Sequence, residues 1–365
     1  MKITRVAFQY YRIPLKQTLI SAKFTLTHRE LVTVEVETDA GMKGMGWFTT
    51  PGVGARAASM LAQEHMAPLL IGEDPRHNER IWERLWSKCH FAGPGGLTTL
   101  AISGIDIALW DIKGKLAGEP LYRLLGGASS DVGVYASSIN LHLDKPALLD
   151  QVDGQLAAGY RAFKMKLGRP TIEEDLDRCR AVRERIGPEA ELMLDANQKW
   201  RSGEAVQHCA VLAEVNPLFI EEPILSDDVG GHARLRAVSA IPVAVGEQLC
   251  NKFEFWNYVR SDAADVLQPC VWKIGGITEW LKVAAMAQAA NLVTSPHGAL
   301  ELSLHLAAAV PRCDKIENIF GVSLYELGVT TRETPIVGGR ATPPDSPGHG
   351  VVFDGPALQN FRIAD

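Results

Sequence analysis

The sequence predicts an α/β protein: a modified (β/α)7β TIM-type barrel with an α+β N-terminal capping domain. Three observations predict it. From about Val132 onward, eight short apolar runs alternate with amphipathic helical stretches: VYASSI, AFKMK, ELMLDAN, LFIEEP, PVAVGEQ, DVLQP, LVTSPH and KIENIF. Eight parallel βα units are the number that closes a barrel. The last run is followed by a poor helix signal, which leaves the final unit incomplete. The first 125 residues have a different rhythm, period-two strands and then helices.

In chain order, Val6 to Tyr11 and Leu31 to Glu37 alternate apolar and polar residues, as antiparallel strands with one wet face do. Residues 15 to 30 between them are polar and irregular and are expected to form a mobile loop. Gly41, Gly44 and Gly46 mark the next turn, and Pro51 to Gly54 begins another. Residues 55 to 125 have helical spacing, as in Ile102, Ile105, Leu109 and Ile112. The tail, with Pro343, Pro344, Pro347 and Gly350, reads as loop and then brief strand. The expected division is a capping domain over 1–125, with 335–365 packing back on it, and a barrel over 126–334.

Composition narrows the function. Two domains suit 365 residues, and 46% hydrophobic with 22% charged residues supplies a large core without disorder. The net charge is −6 with signs interspersed, so no basic stripe is available for nucleic acid. The N-terminal MKITRVAFQYYRIP lacks a signal-peptide apolar core, and no apolar run reaches bilayer-spanning length, so no membrane association is expected. Cysteines at 89, 179, 209, 250, 270 and 313 form no CxxC pair, which fits reduced thiols in a cytoplasmic protein.

Barrel active sites lie where strands meet the following loops. The polar residues ending each run are Lys164 and Lys166, Asp195 and Asn197, Glu221, Glu247, Cys270, His297 and Glu317. From Lys166 onward the steps are 29, 26, 26, 23, 27 and 20 residues, each about one βα unit. Asp195, Glu221 and Glu247 end three consecutive strands. Three carboxylates in one cavity repel unless a cation neutralises them, and an all-oxygen set favours Mg²⁺ over zinc. Any one of them alone could be a helix cap or a surface acid; the three in register point to a metal. Glu222 falls on the opposite strand face if the strand persists. Lys164 and Lys166 share a strand face, flanked by the apolar Ala162, Phe163, Met165 and Leu167. Two ammonium groups beside a divalent ion lower each other's proton affinity, so one can serve as a neutral base.

The KxK pair, the Asp/Glu/Glu series and the histidine of the seventh strand resemble the mandelate racemase subgroup of the enolase superfamily. The same register holds SGIDIALWDIKGK (103–115), LLGG (124–127), DANQKW (195–200), FIEEP (219–223), KIGGITEW (273–280), SPHG (295–298) and PDSPGHGV (344–351). The resemblance implies Mg²⁺ on Asp195, Glu221 and Glu247, and removal of the proton next to a substrate carboxylate to give an enediolate. It further implies Lys166 as base, with Lys164 lowering its pKa and touching the carboxylate. Asn197 would bind a substrate hydroxyl, and Glu317 would meet the carboxylate opposite the metal. A homo-oligomer is implied by the family alone.

The pattern breaks at one place. In this family an aspartate of the sixth strand usually partners the histidine that is here His297, and the related muconate-lactonizing subgroup has a lysine there. This chain has Cys270. Three readings of Cys270 are open: a small packing residue, a weak hydrogen-bond partner of His297, or a thiolate favoured by nearby cations. Without a carboxylate, in a cavity with Mg²⁺ and two lysines, His297 is expected to be neutral more often and less firmly aimed.

Racemisation needs competent bases on both faces of the α-carbon, whereas dehydration needs one base and one acid. The altered pair therefore favours dehydration of a sugar acid (an aldonate or aldarate) to a 2-keto-3-deoxy acid. Two alternatives stand beside it: epimerisation or cycloisomerisation of a related hydroxy acid, and a catalytically weakened metal-binding barrel. Substrate contacts are expected from residues 15 to 30 and 47 to 54, with Trp47, Phe48, His28, Lys23 and Arg29 as candidates. Trp82, Trp86, Trp110 and Trp256 read as core, and Trp200 as a residue near the mouth.

Overall fold

The structure, a computed structural model, describes residues 1–313 and 315–363. The chain opens with an antiparallel meander of β1 (Ile3–Ile20), β2 (Thr25–Thr38) and β3 (Lys43–Thr50). Five helices follow: α1 (Ala55–Leu61), α2 (Ala67–Leu70), α3 (Asn78–Cys89), α4 (Leu97–Ala117) and α5 (Leu121–Leu124). Alternation puts Val32, Val34 and Val36 inside, and all three are fully buried.

Residues 15 to 30 are not an irregular loop. They are the far end of the β1–β2 hairpin, where Leu19 pairs with Leu26 and Ile20 with Thr25 beyond a register shift at Pro14. Only Ser21–Phe24 turns, closed by the Ser21 amide on the Phe24 carbonyl at 3.0 Å. The backbone ladder holds this segment, so its polar side chains can face water without unravelling it. Gly41 does turn (φ 73°). Gly44 and Gly46 instead lie within β3, where Cβ atoms would come 2.1 and 2.0 Å from the Ala108 and Gly104 carbonyl oxygens of α4. The glycines let strand and helix backbones meet.

The barrel strands are β4 (Val132–Ser137), β5 (Ala162–Lys166), β6 (Glu191–Asp195), β7 (Phe219–Glu221), β8 (Val243–Val245), β9 (Val266–Leu267), β10 (Val293–Thr294) and β11 (Lys315–Ile319). Neighbours pair in parallel from β4 through β10, and β11 pairs in parallel with β4. The intervening helices are α6 (Lys145–Ala157), α7 (Ile172–Ile186), α8 (Ser202–Leu212), α9 (Val229–Val238), α10 (Lys252–Arg260), α11 (Ile277–Ala289) and α12 (Leu300–Ala309). Every one of the eight apolar runs holds a strand. Turns and no α-helix separate β11 from the tail hairpin, which leaves seven βα units and one strand. Inward residues Tyr135, Ala162, Met193, Phe219, Ala244 and Val266 form a separate buried layer that fills the barrel.

The tail makes two kinds of contact. Strands β12 (Ile336–Val337) and β13 (Arg340–Ala341) form a small hairpin whose second strand pairs with β4 of the barrel. Beyond it, Gly348 bridges to Pro120 and Arg362 to Tyr11, around the short α13 (Gly355–Gln359). The tryptophans divide. Trp82 and Trp110 tie the first helices to the barrel, through Nε1 on the Gly275 carbonyl (2.8 Å) and on Thr278 Oγ1 (2.9 Å). Trp256, expected in the core, is half exposed on the outer face of α10.

Candidate active site

The acidic groups come together. Asp195 ends β6, Glu221 ends β7 and Glu247 lies two residues past β8. One carboxylate oxygen from each lies within 4.8 Å of the others. Parallel register explains this, because Asp195 sits directly opposite Glu221. Asp195 Oδ1 accepts from the Asn197 amide at 2.8 Å, in a turn where Asn197 and Gln198 both have positive φ. Glu221 Oε2 accepts from Lys164 Nζ and Gln268 Nε2, both at 2.7 Å. Its Oε1 is buried with no donor in reach. A buried carboxylate oxygen without a donor, beside two further acids, suits a hard cation. The donor set therefore fits Mg²⁺.

Lys164 and Lys166 project from β5 into the same space, both nearly inaccessible to water. Lys164 Nζ lies 2.5 Å from Glu317 Oε1 and 3.8 Å from Asp195, while Lys166 Nζ pairs with Asp195 Oδ2. The lysines lower each other's proton affinity, and the surrounding carboxylates act against that. Burial and Lys164 both lower the proton affinity of Lys166, but Asp195, Glu221 and Glu247 raise it further. Lys164 is likewise held well above its ordinary value, against burial, by Glu221 and Glu317. Carboxylates outnumber the amines here.

His297, three residues past β10, points Nε2 at Glu247 Oε2 (3.0 Å) and Glu317 Oε2 (3.7 Å). The chain's own side chains favour the imidazolium. Burial disfavours the charge, yet Glu247 and Glu317 lift His297 well above its ordinary value. The two carboxylates supply what the missing aspartate would have supplied. Cys270 lies close by, three residues past β9. Burial would raise its thiol, but His297 and the Lys273 and Trp272 amides bring it below the ordinary value. His297 Nδ1 has no hydrogen-bond partner. Cys270 and His297 nonetheless act on each other at close range, each favouring the other's charged form.

These groups open onto a cavity of about 330 Å³, lined among others by Lys166, Asn197, Glu247, Cys270, His297 and Glu317. That volume is of small-ligand size. The first domain supplies the facing wall with Phe24, Leu26, Arg29, Thr49, Thr50 and Val53. Three expected contacts do not reach it. Trp47 is fully buried with its ring against His349 (5.0 Å) and Phe353 (5.5 Å), so strand alternation turns it toward the tail. Phe48 packs on α4 at Gly104. His28 folds over Gly52 and hydrogen-bonds Thr27 Oγ1. Lys23 reaches the barrel mouth by another route, donating to Gln198 Oε1 at 2.8 Å. Trp200 meets His208 edge to face, with ring centroids 4.7 Å apart, and is not among the residues lining the cavity.

One residue was missed by the reading from sequence, and Glu222 was placed under a condition that the chain does not meet, since β7 ends at Glu221. Gln268, the polar residue within DVLQP, donates to Glu221, and its place inside an apolar run is the signal. Glu222 does not continue the strand to the opposite face. Its φ of 38° breaks the extension and turns the carboxylate to Gln198 Nε2.

Residues 4–126 match the mandelate racemase/muconate lactonizing enzyme N-terminal domain, and residues 147–357 match the enolase C-terminal domain-like family. The chain belongs to the mandelate racemase/muconate lactonizing enzyme family. It is 40% identical over 363 residues to a 3,6-anhydro-α-L-galactonate cycloisomerase of Streptomyces coelicolor, covering 99% of both chains. A racemase from Streptomyces coelicolor with bound magnesium superposes with a TM-score of 0.95 at 39% identity, over 99% of this chain and 100% of that one. An L-talarate dehydratase from Polaromonas, complexed with Mg and L-glucarate, superposes with a TM-score of 0.91 at 34% identity, over 100% and 98% of the two chains.

Proposed function

We propose that this protein is a Mg²⁺-dependent lyase that removes the proton α to the carboxylate of a sugar acid and expels the β-hydroxyl, giving a 2-keto-3-deoxy acid. The observation that carries this reading is the meeting of Asp195, Glu221 and Glu247 within 4.8 Å, beside two buried lysines and His297. Mg²⁺ held by the three acids would supply the positive charge that stabilises the substrate carboxylate as it gains a second negative charge.

Lys166 Nζ, at the cavity wall, takes the α-proton. Lys164, whose charge lowers the proton affinity of Lys166, supports that role and presents an ammonium to the carboxylate. The electron pair left on C2 moves into the carboxylate, and its return breaks the C3–O bond. His297, across the cavity, delivers a proton to the departing oxygen, so that water leaves and the enol settles to the 2-keto acid. Asn197 Oδ1, buried and without a donor, is placed to accept from a substrate hydroxyl. Glu317 holds Lys164 in place and faces His297.

The 40% identity to a cycloisomerase favours one second reading. If the C3 oxygen belongs to a ring, the same C–O cleavage opens the ring and no water is lost. A panel of sugar acids incubated with Mg²⁺ separates the two by product mass: loss of 18 Da marks dehydration, unchanged mass with a new keto group marks ring opening. No 2-keto acid from any member, with no exchange of α-protons in D₂O, would defeat both. The same reading places the enzyme in the cytoplasm as a homo-oligomer. Cys89, Cys179, Cys209, Cys250 and Cys270 carry no disulfide, and the exposed Phe91, Phe253 and Trp256 supply apolar contact surface.

A further inference from the structure

We propose that Arg29, with Trp272 and Lys273, binds a second carboxylate at the end of the substrate away from the reacting carbon, so that the preferred substrate is a sugar diacid. The inference rests on the functional reading above and narrows its substrate class.

Part of the cavity lining is made of cations and donors that, among the described residues, no carboxylate meets. Arg29, on β2, sends Nη2 to Thr49 Oγ1 at 2.7 Å, while its Nε is buried with no partner. Trp272 is 7% exposed, lines the same cavity, and its indole Nε1 also has no partner. Lys273 follows it in the chain and reaches only the neutral Gln248 side chain, at 3.3 Å. Among the described residues, neither Arg29 nor Lys273 has a carboxylate within ion-pair distance. Every other basic group at the site does: Lys164 has Glu221 and Glu317, and Lys166 has Asp195.

Buried donors are rarely left unsatisfied, because an unmade hydrogen bond costs more than a made one gains. A guanidinium with no internal anion is a stronger case, since its fork matches a carboxylate in two parallel hydrogen bonds. Water could satisfy one donor, but it would not neutralise two cations. Burial lowers Arg29 to about 10, which leaves it charged at neutral pH, and Cys270 favours that charge. The site therefore carries two kinds of cation: Lys164, Lys166 and His297 paired with acids, and Arg29 and Lys273 without one among the described residues. An aspartate in place of Cys270 would stand beside Arg29 as a counter-ion. The cysteine leaves the guanidinium available.

Both substrate classes occur among the relatives, an anhydro-aldonate in the Streptomyces cycloisomerase and L-glucarate in the Polaromonas complex. Arg29 and its neighbours argue for the diacid in this chain. The test uses the full-length enzyme with Mg²⁺ and pairs of six-carbon acids that differ only at C6, such as galactarate and galactonate. The expected kcat/KM is at least about 10-fold higher for the diacid of the reactive pair. Arg29→Gln should lower that diacid-to-monoacid ratio by about 10- to 100-fold, mostly through KM, and Arg29→Lys should recover part of it. Trp272→Phe, which keeps the ring and removes the N–H, gives a smaller loss in the same direction. Equal kcat/KM for both acids, or an Arg29→Gln loss shared equally by both, would overturn the inference and leave the reaction standing. If no acid reacts, the same pairs are compared by ligand-induced shift in melting temperature. A diacid shift that exceeds the monoacid shift and shrinks in Arg29→Gln sustains the diacid site, and equal shifts dismiss it.

Discussion

At the scale of single residues, the site is a contest between amines and carboxylates. Lys166 sits on Asp195, and a base must be free of its proton to act. Replacing it tests its role apart from the metal. Lys166→Ala should lower kcat by about 10³-fold or more while Mg²⁺ still binds, as read by calorimetry; a variant that keeps most of its activity would remove Lys166 as the base. Cys270 offers a second test. Cys270→Asp places a carboxylate beside His297, which favours the imidazolium, so the alkaline limb of the kcat/KM pH profile should move up by about one unit. An unmoved limb would mean that the two residues do not influence each other. The positions of these residues were legible in the sequence because one polar residue closes each apolar run at a regular interval. The facing wall was harder to read. Trp47 and Arg29 both lie on strands near the mouth; the Trp47 ring faces the tail at His349 and Phe353 while Arg29 lines the cavity.

Elements set these positions through close packing between the two domains. The eight barrel strands could be found in the sequence because parallel strands buried on both faces are short and apolar throughout. The end of the β1–β2 hairpin could not, because its stability comes from backbone pairing that side-chain polarity does not report. Gly44 and Gly46 likewise looked like turn residues, since a requirement for close approach leaves the same mark as a requirement for a turn. Gly46→Ala should destabilise the chain by roughly 1–3 kcal/mol or more, because the new Cβ would lie 2.0 Å from the Gly104 carbonyl oxygen. The urea midpoint reads this, and an unchanged midpoint would mean that α4 yields without cost. Asp106 of α4 caps the start of α11, accepting from the Thr278 amide (2.9 Å) and hydroxyl (2.6 Å). Burial pushes it up to about 7. The folded chain therefore holds this proton more tightly than the unfolded chain. The resulting stability is complete below about pH 4 and is lost as pH rises through 7. At most this amounts to about 4 kcal/mol, opposed in part by the attraction of a helix N-terminus for the carboxylate. In Asp106→Asn the fall in melting temperature between pH 5 and pH 8 should become smaller; an equal fall would place the pH dependence elsewhere.

Across the whole molecule, the two domains divide the work. The barrel gathers acids, lysines and His297 at the ends of its strands, and the first domain closes the cavity with Phe24, Leu26, Arg29 and Thr49. Trp82, Trp110 and Asp106 clamp the two together, so the cavity depends on both. All of the proposed chemistry presumes that Asp195, Glu221 and Glu247 share one divalent ion. Calorimetric titration of the metal-free protein with Mg²⁺, alongside Glu221→Gln, tests this most directly. One ion should bind per chain, and the variant, which keeps the shape of the side chain and loses its charge, should bind at least about 10-fold more weakly. No Mg²⁺ binding to the native chain, or equal binding to the variant, would contradict the account.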